Sequence, residues 1–134
     1  DDVESRGLGD VYKRQEMDGR YSMPGGWVDV NKTVGENAVK ETLEEAGLTV
    51  VPVRVVALHD KGLHNPPAYP YGICKVFFLC EIVDGEFSEN IETVGSGWFS
   101  PDDLPVLAED KNTKEQIEMC FDAYADKNWK TVFD

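Results

Sequence analysis

The sequence predicts an α/β domain: a mixed β-sheet held between helices, an α/β/α sandwich. Three observations carry that prediction. A proline-glycine-glycine turn, residues 24–26, runs into a helix signal that stops at Gly47. Residues 73–83 are apolar on both faces, the pattern of a central strand covered on either side. A second helix signal follows Thr113 near the end of the chain. At 134 residues the chain forms one domain. A chain of that size buries roughly two-thirds of its unfolded surface, so its core needs no staples.

The elements follow in order. Residues 1–15 are polar, show no alternation, and lack the apolar strand expected before the turn at Asp18-Gly19. Residues 20–23 form a short extended run into the glycine turn. Thr33 and Glu36 have capping-box spacing, Val39, Leu43 and Ala46 recur at helical spacing, and Gly47 is the left-handed stop. The first helix is thus expected over residues 34–46. A β-branched strand is expected over 50–58, and Pro52 restricts its beginning to an edge or a bulge. Residues 59–71 read as a loop punctuated by Gly62, Pro66, Pro67 and Pro70. After the strand at 73–83, Asp84-Gly85 closes a hairpin into Glu86-Phe87. A short strand is expected at 96–99 and a helical turn at 101–105. Thr113 caps the last helix, with Ile117, Cys120, Phe121 and Tyr124 on its apolar face, and Trp129 and Phe133 dock the tail on the core.

The other face of the first helix carries Glu41, Glu44 and Glu45, which project from one side of one turn. Like charges at that spacing cost a few tenths of a kcal/mol each, so the cluster calls for a cation. Hard divalent ions such as Mg²⁺ take carboxylate oxygens and keep positions for phosphate and water. The Gly25 carbonyl can add a further oxygen. The plain alternative is a solvated glutamate face. Residues 23–50 as a whole resemble the Nudix box. Its pattern is Gly, five residues, Glu, seven residues, Arg-Glu, an apolar residue, any residue, Glu-Glu, any residue, Gly and an apolar residue. Gly26 opens the match, and Glu41, Glu44, Glu45, Gly47 and Leu48 fall on the later positions. Lys40 replaces the arginine, which loses the planar fork; Thr42 takes the apolar position; and Lys32 reverses the first acid. The chain is most similar to the branch with Gly-Gly-Trp-x-Asp-Val after the proline, which also lacks that first acid.

The resemblance covers about residues 18–134 and implies the Nudix fold. It also implies Mg²⁺-dependent (or Mn²⁺-dependent) hydrolysis of a nucleoside diphosphate linked to another group, ADP-ribose-like or CDP-alcohol-like. On this reading Gly25, Glu41, Glu44 and Glu45 hold metal, and Gly26 approaches the substrate. Lys40 either steadies a glutamate or touches phosphate, or is a solvated helix lysine. Glu92 is the loop candidate for the base that deprotonates water, since Gly95 stands where relatives often place another acid. His64 and Asn65 are candidate contacts for a base or distal group. Tyr69 and Tyr71 either stack on a nucleobase or pack in the core, Trp27 is read as core, and Asp29 as a stand-in for the missing acid. Relatives commonly dimerise. In this branch a strand precedes Asp18-Gly19, and on the first of two readings of the terminus that strand is missing. Residues 1–15 read either as translated adapter sequence on a truncated frame or as a variable terminus.

Composition narrows the alternatives. The formal charge of −13 argues against duplex nucleic acid and anionic membranes, and makes a metal the natural bridge to an anionic substrate. Cys74, Cys80 and Cys120 form no metal-type spacing, and reduced cytoplasmic thiols are the simplest reading. No P-loop run of Gly-x-x-x-x-Gly-Lys-Ser/Thr exists, which removes that class of phosphotransferase. The remaining rival is a noncatalytic nucleotide-binding module on the same fold, supported by Lys32 and opposed by the three intact acids.

Overall fold

The structure is a computed structural model that describes residues 10–15, 20–85, 93–99, 102 and 104–134. Its strands are β1 (Asp10–Gln15), β2 (Tyr21–Ser22), β3 (Leu48–Asp60), β4 (Cys74–Gly85), β5 (Thr93–Phe99) and β6 (Val132–Phe133). Its helices are α1 (Val34–Ala46), α2 (Lys61–His64) and α3 (Lys114–Ala125). The sheet is divided in two. One antiparallel part runs β2-β1-β5, and a mixed part runs β4-β3-β6, with β6 parallel to β3.

The helices form where their caps predict. Thr33 Oγ1 accepts from the Glu36 amide at 3.1 Å, and Glu36 Oε1 accepts from the Thr33 amide at 2.9 Å. Gly47 ends α1 in the left-handed region at φ 73°, the conformation glycine adopts without strain. Thr113 and Gln116 form the same reciprocal box at the start of α3. One end of the β3–β4 ladder packs Leu48 and Val50 with Ala46, Val39, Cys80 and Ile82, which seats α1. Its middle packs Val56, Ala57 and Phe77 with Cys120 and Ala123 of α3. The helices thus cover successive stretches of one ladder.

Several expectations are corrected. A strand does precede the turn: the polar residues 10–15 form β1 because their backbone is paired on both sides, by β2 and by β5. The mixed sheet centres on β3, flanked by β4 and β6, whereas the more apolar β4 pairs with β3 alone among the described residues. Pro52 is tolerated in that central strand because the register shifts between Pro52 and Arg54. His59 and Asp60 belong to β3, and α2 interrupts the expected loop, its N-terminus capped by Asp60 Oδ1 accepting from Gly62 N at 2.7 Å. Of residues 101–105, those described are not helical. Trp129 does dock, donating its Nε1–H to the Val56 carbonyl at 3.0 Å, but Phe133 is 74% exposed and serves β6 through its backbone. Asp18, Gly19, Glu86, Phe87 and Glu92 lie outside the described residues. No helix among the described residues is long and apolar enough to cross a membrane.

Candidate active site

The corner made by residues 25–29 rests on α1, and a polar stripe on that helix explains why. Asn37, Glu41 and Glu45 are four residues apart, so they lie along one side of α1. All three turn toward the glycine corner. Glu45, 1% exposed, accepts from the Gly25 amide through Oε1 at 2.8 Å. A buried carboxylate needs such a donor, and a backbone N–H in a side-chain-free turn supplies one without bulk. Glu41 lies against Gly26 so closely that a Cβ there would sit 2.9 Å from its Cδ and Oε1. Gly26 is therefore required by close approach. Asn37, buried on the same stripe, donates to the Trp27 carbonyl at 3.0 Å and accepts from the Asp29 amide at 3.2 Å.

Glu44 lies beside the stripe and is more exposed. Its Oε1 meets Lys40 Nζ at 2.9 Å, and the same ammonium reaches Asp29 Oδ2 at 3.2 Å and Glu41 Oε1 at 3.7 Å. Lys40 thus bridges the corner to two of the three box glutamates, and the hydrogen bond to Glu44 raises its pKa above the ordinary lysine value. Thr42 fits the apolar position of the pattern because its hydroxyl donates back to the Ala38 carbonyl at 2.8 Å.

The donor set suits a hard cation by type: carboxylate oxygens from Glu41 and Glu44 are gathered around one positive charge, the Lys40 ammonium. Among the described residues no three His, Cys, Asp or Glu side chains form a ready-made metal cluster. Glu41, Glu44 and Glu45 are the residues that would hold such an ion, with the Gly25 carbonyl as the expected further oxygen; the Gly25 amide donates to Glu45.

The other expected residues lie elsewhere. Asn65 is fully buried; its amide donates to the Glu109 carbonyl at 3.0 Å and to Gln116 Oε1 at 2.9 Å. Its oxygen accepts from Gln116 Nε2 at 2.7 Å and from Lys75 Nζ at 3.1 Å, and Lys75 also donates to the Lys111 carbonyl. With both ends of its amide engaged inside the fold, Asn65 is corrected from a binding group to a framework residue. His64 is half-buried, stacked on His59 at 3.7 Å and paired with Asp134 at 2.9 Å, which ties α2 to the tail. His59 is buried against Gln116 and Phe77, and burial lowers its pKa. Trp27, expected in the core, is 62% exposed, its carbonyl accepting from Asn37 and its ring 6.4 Å from that of Tyr69. Asn37 was legible as the first member of a four-residue polar repeat; only its burial was not.

The family model of the NUDIX domain matches residues 11–120. A Bacillus subtilis protein, YjhB, provisionally named an ADP-ribose pyrophosphatase, is 37% identical over 90% of this chain, and the chain spans 58% of that protein's length. The crystal structure of an ADP-ribose pyrophosphatase from Streptococcus suis superposes with a TM-score of 0.85 at 48% identity, covering 92% of this chain and 88% of that one. A UDP-X diphosphatase superposes with a TM-score of 0.84 at 30% identity, covering 93% of this chain and 61% of that one. A match spanning most of the sequence, on a fold shared at that level, places the chain in the Nudix hydrolase family.

Proposed function

We propose that this chain is a divalent-metal-dependent pyrophosphohydrolase that cleaves the diphosphate of a nucleoside diphosphate linked to another moiety. ADP-ribose is the leading substrate, in line with the names of the Bacillus and Streptococcus relatives. The observation that carries the reading is the convergence of Glu45 and Glu41 on the corner at Gly25 and Gly26, with Glu44 tied to the same corner through Lys40 and Asp29. Three acids crowded on one helix turn, one of them buried, cost stability and have no use in a simple solvated face.

When bound, Mg²⁺ or Mn²⁺ supplies phosphate charge neutralisation and an activated water. The chain's own residues orient that chemistry. Glu45 fixes the corner through the Gly25 amide, Gly26 leaves room for Glu41, and Lys40 holds Glu44 in place. In this proposal Lys40 would steady Glu44 or touch phosphate, and Glu92 would be the loop base. The test is a panel of ADP-ribose, CDP-alcohols and UDP-sugars incubated with Mg²⁺, Mn²⁺ or chelator, following nucleoside monophosphate release. Metal-dependent release is expected. Saturable binding without release would overturn the enzyme in favour of a binding module.

A further inference from the structure

An arginine presents a planar fork that fixes two carboxylates at once, whereas the ammonium of a lysine is a compact point charge on a flexible stem. Lys40 therefore has to be held by something else. Besides Glu44 at 2.9 Å and Glu41 at 3.7 Å on its own helix, its Nζ reaches Asp29 Oδ2 at 3.2 Å in the corner. Two anchors on the helix and one off it define where the charge sits better than two neighbours on one helix do.

Asp29 is in turn held by the helix. The Asn37 amide donates to the Trp27 carbonyl at 3.0 Å and accepts from the Asp29 amide at 3.2 Å, so one side chain grips the backbone on both sides of Val28. The Asp29 carbonyl accepts from the Lys32 amide at 3.0 Å, which closes the turn beyond it. Asn37 is 3% exposed, and its place asks for a side chain that both donates and accepts. The Asp29 side chain is 50% exposed and that of Lys40 33%. A pair so open to water adds little to stability, so its effect is on geometry.

We propose that Asn37 and Asp29 are positioning residues that give Lys40 the fixed direction an arginine fork would have supplied. Asn37 sets the backbone of residues 27–29, Asp29 presents its carboxylate to the ammonium, and the ammonium steadies Glu44 beside Glu41. This rests on the hydrolase reading above. The lysine at 40 and the braced corner are one unit: the lysine serves the site only while Asn37 and Asp29 hold it, and an arginine at 40 makes both less necessary.

The experiment measures ADP-ribose hydrolysis with Mg²⁺, and Mn²⁺ affinity by electron paramagnetic resonance of the free ion as a readout that needs no turnover. Asp29→Asn should lower kcat by about tenfold and weaken Mn²⁺ by a similar factor, with KM and melting temperature near parental. Asn37→Ala should do the same. The double variant should be no worse than either single one, because both act through one ammonium. Adding Lys40→Arg to Asp29→Asn or to Asn37→Ala should recover most of both losses, which a merely structural role would not allow. Losses that multiply in the double variant, or variants that arginine does not rescue, overturn the proposal. If Asn37→Ala folds poorly, Asp29→Asn with and without Lys40→Arg decides it. Should the parent cleave no nucleotide derivative, the hydrolase reading falls; the Mn²⁺ affinities then judge the proposal alone, the same pattern of loss and rescue supporting it and any other overturning it.

Discussion

Helices α1 and α3 open on the same device, a threonine and a three-on partner exchanging hydrogen bonds, and put it in opposite surroundings. In α1 the partner is Glu36, exposed, its pKa lowered by the Thr33 backbone hydrogen bond. In α3 it is Gln116, 2% exposed, whose neutral amide also joins Asn65 and His59 in a hydrogen-bonded network that Lys75 Nζ completes at Asn65. Past the cap the pattern inverts. Helix α3 buries Ile117, Cys120, Phe121 and Ala123, whereas α1 turns Asn37, Glu41 and Glu45 inward against backbone. Buried polarity in α3 is neutral and self-satisfied, as stability requires. Buried polarity in α1 is anionic and borders a glycine corner, which stability alone does not ask for. The difference separates a neutral hydrogen-bonded helix start from the acidic face on which the proposed chemistry rests.

That contrast can be broken by mutation. The largest effect is expected at α1: Glu44→Gln or Glu45→Gln should cut metal-dependent turnover by at least about a hundredfold while far-UV circular dichroism stays parental. Parental turnover in both would remove these acids from the chemistry. Next comes Gly26→Ala, whose methyl would meet the Glu41 carboxylate at 2.9 Å. The end of a glutamate side chain can swing away, so activity should drop about tenfold or more with the melting temperature within a few degrees of parent. A large loss of stability instead would mean the corner is rigid for structural reasons.

In the α3 network the signs should reverse. Gln116→Ala removes one partner from each end of the Asn65 amide and the side-chain partner of His59 and of the Thr113 amide, and urea denaturation should show a loss of about 2–3 kcal/mol with kcat near parental. The smallest effect is a pH dependence. Burial lowers the His59 pKa, so below its ordinary value near 6.5 the unfolded chain takes up a proton that the folded chain resists. The stability from neutral His59 is present above about pH 6.5 and is lost as pH falls toward the folded value. Thermal melts from pH 7.5 to 5.5 should thus decline less steeply in His59→Gln than in the parent.

How much could be read in advance differs between these regions for physical reasons. The bounds of α1 were legible because Thr33, Glu36 and Gly47 act through bonds within a few residues. The acidic face was legible because helical geometry puts residues three and four apart on one side. Strand order was not: β1 is polar, and its place depends on backbone partners far along the chain at residues 93–99. The fates of Trp27 and Asn65 were likewise hidden, since each turns on a neighbour distant in sequence, Tyr69 for one and Gln116 for the other.

By itself the sequence determined the two capped helices, the crowded acids and the glycine corner, all consequences of local geometry and short-range hydrogen bonding. Only the tertiary structure decided that Glu45 reaches the Gly25 amide, that Lys40 bridges Asp29 to Glu44, and that Asn65 is sealed inside. Such contacts depend on how separate segments pack, because burial is a property of the assembled core and of no single stretch of chain.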